Sequence, residues 1–259
     1  MYKKLLLTVF ALFFIIVGCS KQDKSTDVYK KIISRDKLIV GVKYDAKPFG
    51  FVDEDGKLEG FDVDIAHELA KRILGDSNKV EFIQVTPSTR IQAVTSGQVD
   101  FVVATMSITP QRQQIIDFST PYYIAGQAIL IPASSKIKSF SDLNNKNVIV
   151  ILGTTGEKNI RYYAPSAVLQ GYVNYSEAFS ALKAGSASAL TTDDALLIGF
   201  IMDNRNYKLL PKRMTKEPYG IAFKKSEDTI PLKNNLNRIL ENMQYDGTIS
   251  QLKKKWNLD

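Results

Sequence analysis

The chain has 259 residues, 44% hydrophobic and 24% charged, with a formal net charge of +7, one histidine and one cysteine. A lone cysteine excludes an intrachain disulfide and a cysteine-based zinc cluster, and a lone histidine excludes a multi-histidine metal site. The lysines are scattered without interleaved aromatics, so the positive charge reads as solvated faces rather than a nucleic-acid surface.

Lys3 and Lys4 precede a run at 5–17 that is apolar except for Thr8. That run is shorter than the ~20 residues a bilayer-spanning helix needs. Followed by Gly18 and Cys19, it has the pattern of an export signal, residues 1–18, removed before Cys19. The order Ile16-Val17-Gly18-Cys19 resembles a bacterial lipobox. The resemblance implies lipidation of Cys19 and an extracytoplasmic protein anchored to a bacterial membrane. A polar, aperiodic stretch comes next, and residues 19–30 are expected to form a tether.

Strand-like and helix-like patterns then alternate, which predicts an α/β fold. The first set has a strand at 38–42, a helix at 64–74, a strand at 80–85, a helix at 88–96 and a strand at 101–104. In the helix at 64–74, Ile65, Leu69 and Ile73 form one apolar stripe and His67 lies off it, so His67 is expected at the surface. A second set opens with a strand at 147–152 and continues with helices at 156–164, 175–184 and 194–202. Helices at 232–245 and 249–256 close the chain. Two such sets imply two lobes, one of residues 31–124 with 220–259 and the other of 125–219. The stretches 122–131 and 218–223 are the expected connections, with Gly126 and Gly220 as hinge positions.

Three places carry chemistry. Within 100–123 an apolar strand gives way to small and hydroxylated residues, and Thr109-Pro110 then opens a helix with Arg112 in its first turn. Free backbone N–H groups, the helix dipole and a guanidinium fork favour an anion there, with Thr105 and Ser107 adding hydroxyls. The alternative is a capped helix whose arginine is solvated. At 153–157 the sequence Gly-Thr-Thr-Gly-Glu follows a strand and opens a helix without the Gly-Lys-Ser/Thr of a phosphate loop. It offers backbone donors from Thr154 and Thr155 to a carboxylate. At 191–194 a strand-to-helix junction carries Asp193 and Asp194. One is expected to cap the helix, leaving the other free to meet an ammonium group and, with Arg112, to supply the opposite charges a zwitterion needs; on these residues alone, capping by both is favoured. Lys43 and Arg90, each beyond a strand, read in isolation as solvated.

Taken together, the segments LIVGVKYDAKPFGFVDEDGKLEGFDVDIA at 38–66, ATMSITPQR at 104–112, DFSTPYY at 117–123, GTTGE at 153–157, DDALL at 193–197 and YGIAFKK at 219–225 resemble the bacterial extracellular solute-binding protein family 3. These are the receptors of ABC importers for polar amino acids. The resemblance implies a type II periplasmic-binding-protein-like α/β fold, two lobes joined by two hinge strands with the ligand cleft between them. It implies an amino acid ligand, an ABC permease as partner, a monomer, no cofactor, no metal and no catalysis. It places the ligand α-carboxylate on Arg112, with Ser107 and backbone near Thr155, and the α-amino group on Asp193 and the Ala104 to Thr105 region. Lys43 and Arg90 match positions at which glutamate- and aspartate-binding members carry basic residues, so an acidic amino acid is the expected ligand. A second buried carboxylate without paired cations would cost several kcal/mol. Family members often stack an aromatic where Ala46 or Pro87 stands, and Tyr175 is expected to compensate from the second lobe. Glutamine or cystine is the alternative ligand. A cyclohexadienyl-dehydratase-like enzyme on the same fold is the competing class, and Asp193 is the carboxylate it would need as an acid.

Overall fold

The β-branched and aromatic runs form strands that pair into two five-stranded sheets, seen in a computed structural model that describes residues 27–202 and 204–259. The expected signal and the expected lipidation site, Cys19, lie outside the described residues. The first sheet runs Val80–Gln84, Leu38–Val42, Phe101–Val102, Ala222–Lys224, Ile116–Phe118, and the second Val168–Tyr172, Asn147–Ile151, Ala189–Asp193, Gln127–Pro132, Tyr207–Leu209. In each, the first three strands are parallel and the fourth is antiparallel to the third. Helices connect the parallel strands, so the two sheets repeat one βαβαβ order. This is the two-lobed α/β architecture that the sequence predicts.

Strands covered on both faces read as continuous apolar runs rather than as alternating ones. Asn147–Ile151 shows why: all of its residues after Asn147 are buried. Ile149 and Ile151 join one apolar cluster while Val148 and Val150 join another on the opposite face.

The helix predicted from residue 64 begins three residues earlier, spanning Phe61–Leu74. Its extra turn is held from outside, because Phe61 N donates to Pro48 O at 2.9 Å and Asp62 N to Phe49 O at 2.8 Å. Gly60, at the N-cap, has φ 132°, and a Cβ there would stand 2.1 Å from Phe49 O, so only glycine fits this approach. Phe61, Ile65 and Leu69 are fully buried, each large side chain contributing about 2 kcal/mol. The early start places Asp62 in the first turn, fully buried. His67 is half-buried rather than free at the surface, with Nδ1 2.7 Å from Ser77 O and its ring edge-on to Phe82. Helix Val28–Arg35, capped by the Asp27 side chain, begins inside the stretch 19–30 expected as tether.

Tyr123–Ala125 and Glu217–Tyr219 pair antiparallel between the two sheets. Away from this hinge the lobes touch. Tyr175 N donates to Asp45 Oδ2 at 2.7 Å, and Ser88 Oγ to Leu152 O at 3.3 Å. Gly199, on helix Asp194–Ile201, packs so closely that a Cβ would stand 2.3 Å from Lys47 O. Gly199→Ala is therefore expected to hold the lobes apart. Small-angle scattering should give a larger radius of gyration than the wild type, with unchanged far-ultraviolet circular dichroism; identical scattering curves would refute the close approach.

Candidate ligand-binding site

Six parallel strands end facing one another, and ligands of open α/β sheets bind outside such carboxyl ends. Lys43 follows Leu38–Val42, Arg90 lies beyond Val80–Gln84, and Ala104, Thr105 and Ser107 follow Phe101–Val102. From the second lobe, Thr155 follows Asn147–Ile151, Tyr175 follows Val168–Tyr172, and Asp193 ends Ala189–Asp193. The described site residues singled out from sequence thus share one region, divided into a buried cluster and an open cleft.

The buried cluster contains the two cations that read in isolation as solvated. Lys43 is 1% exposed and Arg90 2% exposed. Lys43 Nζ donates to Thr105 Oγ1 in its own lobe and, at 2.8 Å, to the Tyr175 hydroxyl of the other. Arg90 Nη1 donates to Ala104 O at 2.6 Å and Thr105 O at 3.2 Å, while Nη2 reaches Gly153 O at 3.5 Å. Aiming two carbonyls at one guanidinium requires a tight turn, and Thr105 adopts φ 45°. A left-handed non-glycine residue costs about 1–3 kcal/mol and persists where its surroundings hold it. Asp62 does so, its Oδ2 accepting from Thr105 N at 3.0 Å and its Oδ1 from the Tyr122 hydroxyl at 2.9 Å.

Asp193 and Asp194 depart from the capping expectation. Asp193 occupies the N-cap position of helix Asp194–Ile201, yet its side chain makes no capping bond and instead accepts from the Tyr219 hydroxyl. Asp194 Oδ1 accepts from Gly126 N at 3.1 Å, and its other oxygen pairs with Arg213. Both carboxylates are drawn to hinge segments. Tyr219 belongs to one hinge strand and Gly126 adjoins the other.

Beside the cluster opens a cleft of about 890 Å³, lined among others by Thr109, Arg112, Gly153, Thr154, Thr155 and Glu217. Thr109 caps the short helix Pro110–Gln113 through Arg112 N, as predicted, which sets the arginine at the cleft wall. Arg112 Nη1 donates to Ser107 O at 2.8 Å and Nη2 to Gly153 O at 3.0 Å. Across the cleft, Thr154 turns its hydroxyl to Ile151 O and makes no capping bond to helix Thr155–Tyr163. The leading N–H groups of that helix are therefore left to an external acceptor. Lys43, Arg90, Tyr175 and Asp193 do not line this cleft. Arg90 connects to it through Gly153 O, which receives both arginines.

Burial dominates the electrostatics. It brings Lys43 down to about 7, with Arg90 adding repulsion, and it raises Asp62 and Asp193 to about 6 each. Arg112 is lowered to about 9, first by burial and then by Arg90, so it remains ionised at neutral pH. Sequence reasoning missed Asp62, Tyr122 and Tyr219. Asp62 lies in a motif taken to precede its helix, and the tyrosines lie in stretches read as linkers.

Comparisons with known proteins show which proteins the chain resembles. The family profile for bacterial extracellular solute-binding proteins, family 3, matches residues 38–259. The chain is 43% identical to the ABC transporter glutamine-binding protein GlnH of Bacillus subtilis (strain 168), covering 92% of this chain and 88% of that one. It is 48% identical to the glutamine-binding protein of Geobacillus stearothermophilus, over 77% of each. Among solved structures, an ancestral arginine-binding protein bound to glutamine superposes with a TM-score of 0.81 at 40% identity, covering 87% of this chain and 99% of that chain.

The position of Lys43 has a measurable signature. Its proton is lost at about 7 in the folded state against a usual 10.5, so between these values the unfolded chain binds the extra proton and stability rises with pH. Unfolding free energy measured from pH 7 to 9 should rise by up to about 1 kcal/mol per unit from this group. Lys43→Met should lose that rise, and a Met variant with the wild-type slope would show that Lys43 is not the titrating group.

Proposed function

We infer that this chain, which belongs to the bacterial extracellular solute-binding proteins of family 3 and is the substrate-binding protein of an amino-acid ABC transporter, takes glutamine as its ligand. The observation that carries an amino acid ligand is Arg112. Its bonding partners are two neutral carbonyls, Ser107 O and Gly153 O, Arg90 opposes its charge, and the uncapped start of helix Thr155–Tyr163 lines the same cleft. An α-carboxylate answers each of these, through bidentate pairing with the guanidinium and bonds to the helix N–H groups. Asp193, at the end of the facing strand, is the partner for the α-ammonium group. Ala104 and Thr105, expected to help there, already give their carbonyls to Arg90.

Glutamine replaces the acidic ligand expected from Lys43 and Arg90 for a physical reason. Both cations are bonded to protein oxygens, and their charge is offset by Asp45, Asp193 and Asp62 around Lys43 and by Asp193 around Arg90. A carboxamide, which both donates and accepts, asks for no further cation. The two glutamine-binding relatives support the same choice. Glutamate is the second reading, favoured by the same two cations. The two relatives, both glutamine-binding proteins, support binding rather than dehydratase chemistry. Export, lipidation at Cys19, and delivery by a monomer to a membrane permease complete the proposal.

A thermal-shift panel of the twenty amino acids tests it. A ligand at 100 times its dissociation constant adds ~2.7 kcal/mol of stability, so glutamine should give the largest shift, ahead of glutamate. Arg112→Ala should abolish the shift with every amino acid while the protein still melts cooperatively. Retained binding in that variant would remove Arg112 from the site.

A further inference from the structure

We propose that Asp62 is a positioning residue of the ligand site: its carboxylate holds the Ala104 to Thr105 turn and, as counter-charge to Lys43 and Arg90, sets the preference for a neutral over an acidic ligand side chain. The inference rests on the amino acid reading above and names what discriminates within it. Asp62 is fully buried on the first turn of helix Phe61–Leu74, where Gly60 and the carbonyls of Pro48 and Phe49 fix its position. Its two oxygens divide their work. Oδ2 takes the N–H of Thr105, whose carbonyl and hydroxyl in turn hold Arg90 and Lys43. Oδ1 takes the Tyr122 hydroxyl, next to the hinge strand Tyr123–Ala125. One carboxylate thereby reaches both cations through a single residue.

Charge gives the second half of the role. Among the described residues Lys43 and Arg90 lie in no salt bridge, and Asp62 is one of the carboxylates whose charge acts on Lys43. With Asp62 ionised, the cluster is already offset and a ligand carboxylate adds an uncompensated negative charge. With Asp62 neutral, Asp45 and Asp193 still act on Lys43, but the cluster holds one negative charge fewer and repels a ligand carboxylate less. A residue that only supported the fold would weaken both ligands alike.

Titration calorimetry of the full chain with glutamine and with glutamate, at neutral pH and fixed salt, separates these roles. Asp62→Asn should weaken glutamine about tenfold and move the ratio of the two dissociation constants at least about fivefold toward glutamate. Tyr122→Phe removes a hydrogen bond that favours the ionised carboxylate, so it should move the ratio the same way by about twofold to threefold. If Asp62→Asn does not fold, Tyr122→Phe decides alone. Wild-type binding with a ratio unmoved by the variants overturns the role of Asp62 and leaves the ligand reading standing. A wild type that binds neither amino acid overturns the ligand reading itself, and this inference with it.

Discussion

Two like charges, Lys43 and Arg90, are buried side by side with no carboxylate bonded to either, and much of the surrounding structure answers that constraint. An unpaired buried cation would cost several kcal/mol. The protein meets this with carbonyls and hydroxyls at strand ends and with three carboxylates near Lys43, Asp45, Asp193 and Asp62, none bonded to it. The left-handed Thr105, the extra helical turn that carries Asp62, and the close approach at Gly60 each follow from aiming those groups inward. Removing any one of them would leave another polar group without a partner, which is why the arrangement is rigid as well as polar.

The repeated βαβαβ order explains why both lobes contribute. Each sheet presents the carboxyl ends of three parallel strands, and opposing two such edges puts loop and helix starts on both sides of one gap. The hinge is tied into that gap. Asp193 and Asp194 are adjacent in sequence, yet one meets Tyr219 and the other Gly126, so the strand-to-helix junction carrying them holds both crossings. A change at Asp193 is therefore also a change at the hinge, because its carboxylate accepts from the Tyr219 hydroxyl.

The fold was largely legible because its signals are local. Continuous apolar runs such as 148–151, a cap followed by proline at Thr109-Pro110, and alternating helix and strand periods each need only neighbouring residues to be read. Helix starts held by distant backbone were less legible: nothing within residues 61–63 announces that Pro48 and Phe49 will supply the acceptors. The site divides in the same way. Arg112 and Thr155, singled out because helix starts bind anions, line one cleft. Base rates place Lys43 and Arg90 at the surface, and only the assembled lobes show them buried. The two aspartates read as caps because local geometry favours that, and the hinge groups that claim them lie 26 and 68 residues away in sequence.

The first sheet is not contiguous in the chain. Ala222–Lys224 lies between Phe101–Val102 and Ile116–Phe118, whereas every strand of the second sheet falls between Gln127 and Leu209. During synthesis the second sheet is complete while the first still lacks an interior strand. The later lobe in sequence is thus the earlier one able to close its core, and the first waits with an open seam until residues 222–224 arrive.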